Sequence, residues 1–256
     1  MLDATRLKFV SPMEVCAIVC VALRASNEDR NVSFHLPHDS DVAGYLQRMD
    51  VVRLLSHACE IVGRPPPERR MDQARVLLEV TRIDRPHEAD ELADKIVPLA
   101  RAQADARVTH AVFTGLGELL DNAVTHAQSK IGVYAAVQTY TGETSGRRGL
   151  ELAVVDGGVG ILQHLRRNPR FKRLRSSKTA IRNALEPGVT GTRDRRGYGF
   201  TDTLDQVGRA GLGRLVVRSG DAIGRVTVQG THRRKQFASS ELLVQGTWTW
   251  LRIRVP

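Results

Sequence analysis

The stretch Leu150-Glu-Leu-Ala-Val-Val-Asp156-Gly-Gly-Val-Gly160 decides how the chain is read, because a strand pattern runs directly into a glycine-rich turn. Alternation with a period of two puts Asp156 on the face of Leu150, Leu152 and Val154, the expected core side. A carboxylate there needs a partner. The glycines that follow let the backbone approach a ligand and offer it N–H groups. Taken alone, the stretch is equally well explained by a tight turn with a capping aspartate.

Upstream, residues 130–141 have strand character and are joined to residues 150–155 by the turn-rich Gly142-Glu-Thr-Ser-Gly146, which predicts a hairpin. Before them, residues 105–127 have the spacing of one long helix, whose glycines at 115 and 117 lower propensity without ending it. On that helix Glu118 and Asn122 lie four apart and share a face, and His126 continues the polar stripe. A carboxylate and an amide presented together can orient water and a hard oxygen-liganded cation such as magnesium. A polar stripe by itself is more commonly a solvated face.

Downstream, Gly188-Val-Thr-Gly191 and Arg195-Arg-Gly-Tyr-Gly-Phe200 lead into a helix expected from Thr201. Glycines beside a helix N-terminus suit phosphate, since free amides and the helix dipole both favour negative charge. Residues 214–218, 223–228 and 247–255 read as three further strands. In the last, alternation puts Thr247 with Leu251 and Ile253 and opposite Trp248, Trp250 and Arg252, which suits an inward position for Thr247.

The first part of the chain is smaller in scale. Residues 7–10 are a short apolar strand candidate, 12–24 a helix, 31–36 a strand and 39–57 a helix opened by capping residues. Gly63-Arg-Pro-Pro-Pro67 is the clearest linker, because successive prolines support neither helix nor ladder. The division expected is therefore a module over 1–63, a linker over 64–72 and a larger domain over 73–256. Residues 75–83 then read as a strand, and 88–102 as a helix interrupted or ended near Pro98.

The net charge is +10, but 11 Lys or Arg against two acidic residues fall between positions 161 and 200, so nearly all the excess belongs to one segment. Three cysteines cannot pair completely, and Cys16 and Cys20, one helical turn apart in an apolar run, read as small buried hydrophobes. No stretch reaches the roughly 20 apolar residues of a membrane span and the N-terminus lacks a secretory pattern. A cytoplasmic location is expected.

In their order and spacing, the motifs resemble the GHKL ATPase superfamily, the Bergerat-fold group that includes gyrase B, Hsp-type chaperones, sensor histidine kinases and MutL. Glu118-Leu-Leu-Asp-Asn122-Ala-Val-Thr-His126 resembles its N box, Asp156-Gly-Gly-Val-Gly160 its first glycine box, Gly197-Tyr198-Gly199 its second, and Gly246-Thr247 its final motif, opening the last strand. The resemblance covers about residues 75–256 and implies a two-layer α/β sandwich, a mixed sheet covered by helices on one face. It implies ATP and Mg2+ as ligands, with Asn122 holding magnesium, Glu118 polarising the attacking water or hydroxyl and Asp156 accepting from the adenine amino group. Gly158 and Gly160 would shape the base pocket, Gly197, Tyr198 and Gly199 would form the lid, and Thr247 would complete the adenine side.

Within that superfamily the segment Ala180-Ile-Arg-Asn-Ala-Leu-Glu-Pro-Gly-Val-Thr190 looks most like bacterial anti-sigma-factor serine kinase-type domains. The N-terminal part is similar to a STAS-like interaction module. Aligning Phe9 with the STAS strand puts Ser11 at the aspartate and Pro12 at the serine of that family's phosphorylation pair, a departure from the pattern. What the resemblance implies is an ATPase or serine/threonine-type protein kinase that regulates a protein partner, with a homodimer in keeping. An ATP-gated binding module without turnover is the first alternative. Nucleic-acid binding through the basic lid is the second, disfavoured because Phe171, Tyr198 and Phe200 are the segment's only stacking rings.

Overall fold

The computed structural model describes residues 1–67, 76–102, 104–140, 148–190 and 199–254. The larger sheet has five strands in the order β4-β5-β6-β8-β7: β4 (Val76–Ile83), β5 (Val133–Tyr140), β6 (Gly149–Asp156), β7 (Leu212–Gln229) and β8 (His232–Arg254). Every neighbouring pair is antiparallel, so the expected mixed sheet is corrected to an antiparallel one. The cause is connectivity: β5 and β6 form the expected hairpin, and β7 turns straight back into β8.

Five helices cover one face: α4 (Pro86–Arg101), α5 (Ala106–His126), α6 (Gly160–Arg166), α7 (Ser177–Ala184) and α8 (Gly199–Ala210). Helix α5 starts at Asp105, whose carboxylate accepts from the backbone of Arg107 and Val108, satisfying two of the first turn's free N–H groups. Its buried residues, including Val108, Val112, Leu116, Leu119, Leu120 and Ala123, repeat at helical intervals. Gly115 lets the helix lie close to the sheet, since a Cβ there would stand 2.8 Å from the Leu251 side chain. Pro98 does not end α4: the helix runs on to Arg101 and Ala102 donates to the Pro98 carbonyl at 3.2 Å, at the cost of the one ladder bond that the proline's missing N–H would have made.

The other face of the sheet is not left to water. Residues 1–62 form a small parallel sheet, β1 (Leu2–Asp3), β2 (Ser33–His35) and β3 (Glu60–Val62), in the order β1-β2-β3, with α1 (Pro12–Asn27), α2 (Ser40–Arg48) and α3 (Val51–Leu55) as crossovers. Helix α1 packs on β5, β6 and β8, and its Val15, Cys16, Val19 and Cys20 share an apolar core with Tyr134, Ala136, Ala153, Val155 and Trp248. Strand β6 is therefore buried along its whole length, with Leu150, Leu152 and Val154 on the helix side and Ala153 and Val155 against the N-terminal module.

Other expectations shift. Residues 7–10 are irregular and Phe9 is exposed, while the edge strand is Leu2–Asp3. The helix expected over 39–57 breaks into α2 and α3 at Asp50, which adopts a left-handed φ of 61°. The three C-terminal strands are parts of two long ones, which join beyond the sheet as a two-stranded arm. The linker prolines to Pro67 carry no regular structure. Among the described residues no helix is long and apolar enough to cross a membrane.

Cys16 and Cys20 are 0% and 2% exposed, and burial pushes the Cys20 thiol up to about 12. A thiol reagent should modify Cys59, which is partly exposed, and reach Cys16 and Cys20 only in denaturant, because the thiolate is the reactive form. Fast labelling of three thiols in the native protein would contradict the packing of α1.

Candidate functional site

Asp156 ends β6 on the inward face and is 2% exposed. Its carboxylate accepts from the Gly158 backbone at 2.8 Å and from the Thr247 backbone. Burial nevertheless outweighs these bonds and pushes its pKa up to about 7. Gly246, at φ 79°, presses on it, since a Cβ there would lie 2.0 Å from the Asp156 carbonyl oxygen. Glycine is required at 246 on both counts. Gly246 and Thr247 lie at an irregularity within β8 and do not open the strand, a correction that follows from the long arm preceding them.

The glycine turn is laced to its surroundings. Val159 donates to the Ala127 carbonyl at 2.8 Å, and Ile161 donates at 3.0 Å to the Ser219 hydroxyl, which in turn donates to the Gly246 carbonyl at 2.8 Å. Gly158 is packed so tightly on the end of α5 that a Cβ would stand 1.9 Å from the Ala127 carbonyl oxygen. Gly158→Ala should therefore cost about 1–3 kcal/mol or more in chemical denaturation. Gly117→Ala, which meets nothing within 4 Å, should gain up to about 1 kcal/mol through helix propensity. Equal effects of the two would contradict this packing.

From α5, Glu118 and Asn122 enter the same space. The Asn122 amide donates to the Glu118 backbone carbonyl at 2.7 Å, which leaves its own oxygen as an acceptor. Glu118 has its pKa raised by burial and then by the negative charges of Asp202 and Asp121. Gly199, the first residue of α8, abuts the pair: a Cβ there would lie 2.5 Å from a Glu118 carboxylate oxygen and 2.8 Å from the Asn122 amide nitrogen. Gly197 and Tyr198 lie outside the described residues.

These side chains meet in one cavity of about 300 Å3, lined by Glu118, Asn122, Asp156, Gly160, Gly199 and Thr247 together with Asp121, His126, His164, Asp202 and Thr249. Gly158 is a packing residue behind the lining. The residues that sequence reasoning missed come from segments without a motif. Asp202 follows the second glycine pair on α8, and Ser219 comes from β7. His164 stands on α6, its ring 4.6 Å from that of His126; burial, then His126 and Arg167, lower its pKa to about 4.

Oxygen donors suited to a hard cation are present at Glu118 and Asn122. Among the described residues, however, no group of three or more His, Cys, Asp or Glu side chains forms a metal cage. Magnesium would accordingly fit here only with most of its ligands supplied by a bound phosphate ester and water. No protein-family model matches the chain, and no curated protein matches it.

Proposed function

We propose that the cavity binds ATP with magnesium, in the manner of a GHKL-type ATPase domain of Bergerat fold, and that the nucleotide state regulates a protein partner. The observation that carries this reading is the meeting of three separate motifs: Glu118 and Asn122, Asp156, and Gly199 come from remote segments to line one cavity. Asp156 and Thr247 would take the adenine end, with the buried carboxylate accepting from an exocyclic amino group. Asn122 would hold magnesium at the phosphate end, where the cation supplies charge neutralisation. Glu118, with its raised pKa, is suited to draw a proton from an attacking water or hydroxyl. Positioning and electrostatics supply most of phosphoryl transfer, so few protein groups are needed.

A regulatory role is supported by the position of the N-terminal, STAS-like module. A Cβ at Gly157, next to Asp156, would stand 3.3 Å from the Cys20 sulfur, so α1 abuts the turn that would hold the base. Incubation with gamma-labelled ATP and magnesium separates the outcomes. Free phosphate indicates an ATPase, label on protein a kinase, and saturable binding without either a nucleotide-gated module. Absence of saturable binding would overturn the reading.

A further inference from the structure

Helix α6, the short 3-10 turn Pro169–Phe171 and helix α7 form a packed shelf most of whose exposed residues are cationic. Between positions 160 and 190 there are eight Lys or Arg residues and one acidic residue, Glu186. Like-charge runs are ordinarily solvated and disordered, but this one is built into the fold. Leu165, Ile181 and Leu185 are 0–2% exposed, and a Cβ at Gly224 on the arm would lie 2.7 Å from Ile181. Arg166 donates to the Leu174 carbonyl at 2.6 Å, and Asn168 ties the turn to the Thr190 carbonyl at 3.0 Å.

Among the described residues no carboxylate forms an ion pair with any of these eight cations. The contrast with the adjoining arm is direct: Lys235 is paired with Glu186, and Arg233 with Asp205. Arg166 and Arg167 are engaged within the chain, and Arg182 lies over the Phe237 ring. What remains is a run close in sequence, Arg170, Lys172, Arg173, Arg175 and Lys178; Arg170 also lies over the neighbouring Phe171 ring, and all but the half-buried Lys178 are exposed. Like charges concentrated in so short a segment repel one another and attract a polyanion.

We propose that this shelf docks a carboxylate-rich segment of a protein partner. Its composition favours a peptide over nucleic acid. Five cations in nine residues would neutralise at most about five phosphates, a modest footprint on a duplex. Single strands need stacking rings, whereas Phe171, the ring within the shelf, is 9% exposed. Arginine forks pair with carboxylates bidentately, which gives an acidic segment register as well as attraction. The surface stands apart from the nucleotide assignment, since none of the five cations lines the cavity.

The test is fluorescence anisotropy at physiological salt without nucleotide, using a labelled 20-residue Asp/Glu-rich peptide, its Asn/Gln counterpart and a 20-base-pair DNA duplex. The wild-type chain is expected to bind the acidic peptide, and R170Q/K172Q/R173Q/R175Q/K178Q to bind it at least tenfold more weakly. The charge-matched control R6Q/R64Q/K95Q/R101Q/R107Q should stay within twofold of wild type. Should the first variant fold poorly by circular dichroism, R173Q/R175Q is expected to weaken binding at least threefold. No binding to the wild type, equal binding of the uncharged peptide, or equal weakening in shelf and control variants overturns the proposal. Tighter binding of the duplex, lost in the shelf variant, would replace it with a nucleic-acid surface.

Discussion

Asp156→Asn is expected to weaken adenine-nucleotide binding at least about 100-fold, because a site built to accept from an amino group is left with an amide that also donates. The same change should stabilise the free protein above pH 7. The folded-state pKa of Asp156, about 7, is raised above its ordinary value of 3.8. A carboxyl raised in this way is neutral in the native state and ionised in the unfolded chain between those values. Its contribution to stability is fully present below about pH 4 and is lost as pH rises to 7, at about 1.4 kcal/mol for each pH unit crossed. Glu151, pushed up to about 7 mainly by burial, adds a slope of the same sign. Thermal melts from pH 4 to 8 should therefore decline steeply in wild type and more gently in Asp156→Asn. A parallel decline in both would contradict the buried, ionisable state of Asp156. A side chain that destabilises its own fold at neutral pH is the pattern expected of a functional group.

Glu118→Gln is the second large effect, and it should fall on turnover alone. With adenine binding assigned to Asp156 and Thr247, the variant should keep Mg-ATP affinity within a few-fold while losing about 10²–10⁴ in rate, the usual share of a general base. Single-turnover measurements with labelled ATP read both quantities. A variant as fast as wild type would remove Glu118 from the chemistry and leave a binding module. A variant that no longer binds would make Glu118 chiefly a magnesium holder.

The parts of the fold that could be read from sequence are those where one physical signal dominates. Helix α5 declares itself through Asp105 and a long helical repeat, and β6 through alternation ending in Asp156. The far half of the arm was not legible, because residues 232–243 of β8 are partly or fully exposed and mostly polar, leaving no buried row to mark a strand. Helices α6 and α7 were hidden in what reads as a basic connection, where exposed arginines obscure the buried Ile161, Leu165, Ala180 and Ile181. The apolar residues 7–10 suggested a strand, yet pairing with β2 falls to Leu2 and Asp3. In the site, Glu118, Asn122, Asp156, Gly160, Gly199 and Thr247 do line one cavity. His164 and Asp202 are brought there, and Ser219 to the glycine turn behind it, by tertiary packing, for which a single sequence holds no local pattern.

The central claim, that this cavity holds a magnesium-bound adenine nucleotide, is tested most directly by calorimetric titration of Mg-ATP into wild type and Asp156→Asn side by side. A saturable, one-site heat is expected in wild type and should disappear in the variant. No heat in wild type, or the same affinity in both proteins, would contradict it.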